Sequence, residues 1–428
     1  VSYLDHPLDP TSAAALAENS LRLGLVDYDD PAAFHAWMRA EARGFHDGAP
    51  ATETLEEARG YLRHRRATGV YDDAAATPEP VGTVSSWITP LTVPGPRPLD
   101  SWAISAVSVA PTHRRRGIAG ALLPAELRTA HALGVPLAIL TVSESTIYGR
   151  WGFGAAAFAS SWSVDTRRVR WVGPATSGRL SFAEPVDYRE TGQAVIERAN
   201  AARPGEIGLS DHLAHRIIGP MAGTPKADRY RLVRYDAADG TPEGFVTYTI
   251  TPNETDFARN SIEVVALVAA TESANAALWR FLLEMDLVGE VRASTRGVDE
   301  PLRWFVSDLR GVQQTSVVDH LWVRILDVPA ALEARRFEAA GSIVLEIDDP
   351  LGFAGGRFRL EVLDTGEAHV RPTGEAADVF LPVSSLGSLY LGHDAAPGLA
   401  AAGRITGDAD ALGRLFRTAV PPRLSSWF

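Results

Sequence analysis

One short stretch of this sequence has the residue types and spacing for chemistry: His113-Arg114-Arg115-Arg116-Gly117-Ile118-Ala119-Gly120. It fits the pattern Arg-x-x-Gly-x-Gly/Ala, follows a run that reads as a strand and opens a run that reads as a helix. At such a helix mouth the backbone N–H groups of residues 115–120 lack helical partners and converge, and the helix dipole adds positive potential. Gly117 and Gly120 let the backbone approach a bulky anion, and the arginines add charge-assisted hydrogen bonds. A turn of this kind suits a pyrophosphate. Neither Gly-Lys-Ser/Thr nor Gly-x-Gly-x-x-Gly is present there, which argues against a nucleotide-hydrolysing loop and a dinucleotide fold. Taken alone, the hexapeptide also fits a solvated basic helix cap.

The elements around the turn read as an α/β unit. Trp102 to Val109 has the pattern of a strand, Ile118 to Leu133 of a helix ended by Gly134, and Leu137 to Val142 of a second strand. Upstream, Asp30-Pro31 starts a helix over Ala32 to Arg43, Leu55 to Arg66 reads as another, and Val81 to Ile88 as a strand before a loop marked by Pro90, Pro94, Pro96 and Pro98. A second unit closes in the same order: strand Ile262 to Val268, helix Glu272 to Met285, strand Val291 to Ser294. Its turn, Ala269-Ala270-Thr271-Glu272, has neither arginine nor glycine, so it reads as a degenerate internal copy. The third unit opens on a strand at Leu321 to Leu326, continues with alternating Ile343, Leu345 and Ile347, a hairpin across Asp364-Thr365-Gly366, and ends extended at Pro421-Pro422. The expected domains are 1–160, 161–312 and 313–428.

Composition bounds the function. The 428 residues exceed one ordinary core, and 46% hydrophobic with 22% charged residues is the balance of a globular protein. With no cysteine, disulfides, thiolate metal sites and cysteine nucleophiles are excluded. A net charge of −12 argues against general nucleic-acid binding and is compatible with a cationic substrate. The N-terminus does not read as a signal peptide and no apolar run reaches membrane-spanning length, so a cytoplasmic protein with no membrane partner is expected. His212 and His215 stand at helical spacing without an evident third ligand, so no metal is expected.

The basic turn resembles the pyrophosphate loop of the GNAT superfamily of N-acetyltransferases. Longer strings are similar to the enhanced intracellular survival (Eis) branch: Val107-Ser-Val-Ala-Pro-Thr-His-Arg-Arg-Arg-Gly117, Ser143-Glu-Ser-Thr-Ile-Tyr-Gly-Arg-Trp-Gly-Phe-Gly154, Leu321-Trp-Val-Arg-Ile-Leu-Asp-Val-Pro-Ala-Ala-Leu-Glu-Ala-Arg335 and Leu386-Gly-Ser-Leu-Tyr-Leu-Gly392. The resemblance covers essentially the whole chain. It implies two tandem GNAT folds, the second degenerate, then a sterol-carrier-like α+β domain. It also implies acetyl-CoA as co-substrate, a homohexamer, and acetylation of small-molecule amines, with aminoglycoside antibiotics the best known acceptors and several positions modified.

The same resemblance assigns roles. Val107 and Val109 would offer backbone N–H groups to the oxyanion and hold the pantetheine. Arg114, Arg115, Gly117, Ile118, Ala119 and Gly120 would hold the pyrophosphate, with Ser143 nearby. Tyr148 matches the catalytic acid. Its ordinary pKa of about 10 against about 8.5 for a thiol makes proton transfer uphill unless the site lowers it. On the residues alone Tyr148 reads better as a buried support for Trp151-Gly152-Phe153 than as a catalytic acid. The α-carboxylate of Phe428 matches the group that orients or deprotonates the amine. Trp427, also expected at the substrate, stands where a family member has a glutamate, which removes one negative charge from the expected pocket and puts affinity for polycations in doubt. Asp47 loosely matches an acidic substrate contact. Other acceptors (a polyamine, a lysine side chain) and a non-catalytic acyl-CoA or lipid carrier remain open at this point.

Overall fold

The computed structural model describes residues 2–220 and 226–428. Twelve strands form one sheet: β1 Arg22–Leu25, β2 Arg66–Tyr71, β3 Gly82–Leu91, β4 Leu99–Val109, β5 Leu137–Thr141, β6 Gly154–Asp165, β7 Arg179–Ala183, β8 Arg231–Asp236, β9 Pro242–Thr251, β10 Asn260–Ala269, β11 Val288–Arg296 and β12 Val312–Ile325. Their order across the sheet is β1-β2-β3-β4-β5-β12-β6-β11-β10-β9-β8-β7. Five more strands, β13 Gly341–Asp348, β14 Gly356–Val362, β15 Ala368–Pro372, β16 Val379–Pro382 and β17 Thr406–Gly407, form a second sheet ordered β15-β14-β13-β16-β17.

The helices that matter for the site are α1 Pro10–Ala17, α2 Pro31–Gly44, α3 Thr52–Tyr61, α4 Ile118–Ala132, α5 Ser145–Tyr148, α6 Pro185–Ala201, α7 Asp211–Ile218 and α8 Glu272–Leu283. Asp30 caps α2 by accepting from Ala32 and Ala33, with Pro31 in the first turn, and the helix buries Phe34, Trp37 and Ala40. α4 carries the parallel crossover from β4 to β5, and α8 the equivalent crossover from β10 to β11. The repeat legible in the sequence is therefore a repeat of structure. Among the described residues no helix is long and apolar enough to cross a membrane.

The sequence and the fold differ in three places. Helix α3 stops at Tyr61 rather than running to Arg66, because Arg66–Tyr71 pairs with β1 and β3 as a strand. β3 runs through Pro90, which is exposed and opposite Asp100, where a loop was expected. Most consequential, Leu321–Ile325, expected to open the third unit, is the end of the 14-residue β12 and lies between β5 and β6 of the large sheet. The two GNAT-like units thus share one sheet.

Arg324, on β12, is fully buried. Its Nε donates to Trp151 O at 2.7 Å, and one of its terminal nitrogens reaches Asp349 at 2.6 Å, whose side chain is also 0% exposed. Burial alone would raise the Asp349 pKa; the Arg324 bond and the N–H groups of Ala354 and Leu351 turn the net shift downward. A carboxyl shifted down stabilises the fold above its unfolded pKa, near 3.9, and that contribution is lost as pH falls through its folded value. Asp349→Ala leaves a buried guanidinium unpaired and should cost about 3–5 kcal/mol in denaturant unfolding at neutral pH, while the double variant Arg324→Met/Asp349→Leu should cost less.

Candidate active site

The site begins with a defect in β4. Thr83 pairs with Ser108 while Ser85 pairs with Ser105, so β4 carries an extra residue, and Ala106 there takes φ +53°. Thr83 Oγ1 fixes the bulge, donating to Ala106 O and sharing a bond with Ser108 Oγ, both at 2.7 Å. Parallel pairing of β4 with β5 ends at Ile104 and Leu140. Beyond that point the strands part. Ala110 N donates to Val81 O at 2.8 Å, toward β3, so alternation turns the N–H groups of Val109 and Val107 the other way, into the gap.

The turn after β4 faces the same gap. Gly117 caps α4 at φ +79°, and α4 has no side-chain cap. A Cβ built at Gly117 or Gly120 would meet nothing within 4 Å, so both face open space. The four basic residues divide into two pairs. His113 and Arg116 are tied to Asp72, at 3.0 and 3.2 Å. Arg114 and Arg115 are exposed and make no ion pair among the described residues.

These elements enclose a cavity of about 940 Å³. Its lining includes Val107, Val109, Arg114, Arg115, Gly117, Ile118, Ala119, Gly120, Ser143 and Tyr148. The end of α2 closes it through Gly44, Phe45 and His46, which the sequence did not single out. Gly44 is required there, since a Cβ would stand 2.4 Å from the Ser108 Cβ. Tyr148 is 9% exposed, with Trp151 and Phe153 rings 6.2 Å away. Burial, and secondarily the Glu144 carboxylate, push its pKa up. The phenol therefore keeps its proton across the neutral range and can donate it, from a weaker acid than free tyrosine.

The remaining sequence-predicted residues lie outside this lining. Phe428 sits at the end of β5: Thr141 Oγ1 donates to its main-chain oxygen at 3.0 Å, and its ring stands edge-on to Trp87 at 5.5 Å. Trp427 is 51% exposed, against His320 at 4.4 Å. Asp47 is exposed, and its N–H donates to Ala42 O. Thr141 had no sequence signal of its own; the pairing of a strand end with a residue 287 positions later is visible only in the fold.

Known proteins decide the kinship. Residues 29–156 and 215–325 each match an acetyltransferase (GNAT) domain, and 328–425 a sterol carrier protein domain. An uncharacterised N-acetyltransferase of Streptomyces avermitilis is 35% identical over 399 residues, covering 90% of this chain and 94% of that protein. The N-acetyltransferase Eis of Mycobacterium tuberculosis is 36% identical over 358 residues, covering 82% and 85%. The crystal structure of Eis1 from Mycobacterium abscessus superposes with a TM-score of 0.80 at 27% identity, over 95% of this chain and all of that one. The chain belongs to the Eis family of N-acetyltransferases.

It is an acyltransferase built of two GNAT domains and a sterol-carrier-like domain, and the GNAT fold implies acetyl-CoA as the donor. The first cavity fits that donor: uncapped N–H groups, two free arginines and open space at Gly117 and Gly120 meet at one end, an unpaired strand edge along its side. The second GNAT unit lacks those features. Thr271 caps α8 by accepting from Ala274 at 3.2 Å and donates to Glu243 at 2.8 Å, and Glu272 adds negative charge to the first turn. Its neighbouring cavity holds guanidinium groups already paired, Arg296 with Glu300 at 2.9 Å and Arg203 with Asp299 at 2.6 Å.

Two outcomes follow. Replacing Arg114 and Arg115 by Ala should raise the KM for acetyl-CoA, each lost contact being worth roughly 1.5–3 kcal/mol, with kcat for bound donor little changed. Calorimetry should give one CoA per chain; two tight sites would show that the Thr271 turn binds anions after all.

Proposed function

We propose that this protein transfers the acetyl group of acetyl-CoA to a primary amine of a small molecule, with the site in the first GNAT unit. The observation that carries this reading is the convergence of the anion-binding turn, the parted edge of β4 and the Tyr148 phenol on one cavity. The N–H groups of Val107 and Val109 would donate to the thioester oxygen as charge develops on it. Tyr148 would protonate the departing thiolate, and the Phe428 α-carboxylate would orient the amine, held by Thr141.

For the acceptor, kinship suggests aminoglycoside-type polycations with relaxed regiospecificity, and the net charge of −12 is compatible with them. The other expected substrate contacts give little support: Asp47 is outside the cavity lining, and Trp427 stands where the resemblance implies an acid. A panel holding an aminoglycoside, a polyamine, a lysine peptide and small monoamines, read by thiol release, separates the acceptor classes. CoA binding without turnover of any amine would favour a carrier over an enzyme.

Assembly is a proposal of the same standing. A homohexamer fits the exposed Phe182, Phe257 and Trp304, 71–76% accessible and all in the second unit, which a closed assembly would cover. Light scattering at micromolar concentration tests it.

Tyr148→Phe should lower kcat by on the order of 10²-fold or more, leaving the acetyl-CoA KM in place. A short extension after Phe428, or its deletion, should cut kcat severely while CoA affinity and melting temperature hold. Normal turnover in the extended protein would remove the carboxylate from the mechanism.

A further inference from the structure

The sheet has two faces at the site. Glu126 of α4 accepts from the Trp102 indole on one of them at 3.0 Å. On the other, register aligns Ser85 with Ala67 and Ser105, and Trp87 with Ala103, whose partner Ile139 lies two residues from Thr141. That second face, covered by α2 and α3 around Ala67, is where the Phe428 ring meets Trp87.

Arg65 lies over the same tryptophan. Its guanidinium carbon is 3.8 Å from the Trp87 ring centroid. Its Nε is enclosed and has no hydrogen-bond partner among the described residues, and the guanidinium makes no ion pair there. Glu41, Tyr28 and Tyr61 are the titratable groups nearest in effect, and none bonds to it. Ser85 Oγ, on the Trp87 face, is likewise enclosed without a partner. Burial holds the Arg65 pKa down to about 10, still cationic at neutral pH.

An unpaired, largely desolvated cation is costly, and a buried hydroxyl without a partner adds to the cost. Stacking on Trp87 offsets part of it and occupies the guanidinium's flat face. The in-plane N–H edge is left over, a fork that matches a carboxylate. We propose that Arg65 is the subsite for a carboxylate carried by the acceptor, so that the substrate is an amine bearing its own acid rather than a polycation. This rests on the transfer reading above and narrows its acceptor.

The test compares ω-amino acids of increasing chain length with their matched amides on wild type, Arg65→Met and Arg65→Lys. KM is read by CoA release, and affinity by calorimetry with CoA present. In wild type the best acid should outperform its amide by about tenfold or more. Arg65→Met should erase that margin without weakening the amide, and Arg65→Lys, which keeps charge but loses the fork, should retain part of it. No preference for the acid in wild type, or a preference that survives Arg65→Met, overturns the proposal. If CoA binds but no amine is consumed, the transfer reading fails, and the calorimetric comparison of acid with amide still decides Arg65. Should Arg65→Met fail to fold, Arg65→Lys decides: an undiminished margin there overturns the subsite.

Discussion

The Arg324 guanidinium holds three parts of the molecule at once. It sits on β12, the strand that the second GNAT unit sends into the first, and donates to the carbonyl of Trp151 in the turn just after Tyr148. Its other end pairs with Asp349 of the sterol-carrier-like domain. A fully buried charge is affordable only where each donor is met, and here the acceptors come from different units. The same contact that keeps the domains in register fixes the turn that orients the catalytic candidate. Gly152 is constrained with it: φ is +85°, and a Cβ would stand 2.7 Å from Arg324 Nε.

The second GNAT unit lacks the basic glycine turn of the first and holds the end of the third. Glu206 accepts from Arg423 at 2.9 Å, from Ser425 N at 3.0 Å and from Ser425 Oγ at 2.9 Å. Arg423 N donates to Pro204 O, and Arg203 reaches Pro421 O. Glu206 and Arg203 of the second unit thus tether the segment leading to Phe428, and Leu424 is buried at 1% exposure. Chain ends are ordinarily loose. This one is tied at several successive residues before it reaches β5.

Legibility in the sequence follows the range of the interactions. The basic turn could be read because its parts are contiguous: cap, glycines and arginines act within one helix turn. The α8 copy could be read for the same reason, from strand, helix and strand in order. The place of β12 could not, because its partners β5 and β6 lie more than 140 residues earlier and its pattern suits any buried strand. Thr141 was invisible for the same reason. Phe428 entered only through family resemblance. Arg65 was hidden differently: in Arg63-His64-Arg65-Arg66 it reads as one more solvated charge at a helix end, and only the position of Trp87 sets it apart.

Net charge, then, is a poor guide to the acceptor. A total of −12 describes the field far from the surface, which steers encounter and is screened beyond roughly 10 Å at 0.1 M salt. Inside the site the nearest charge dominates, because desolvation strengthens short-range interaction. An acidic protein can therefore attract amines in general and still select, at contact, those that bring an anion to Arg65. The bound carboxylate neutralises Arg65, so the pair would orient the acceptor without lowering the pKa of its amine. Removing the amine's proton would then be left to the Phe428 carboxylate, a weak base near pKa 3.3–3.7 in its unperturbed state, acting directly or through water. Substrate selection and proton removal would thus fall to different groups.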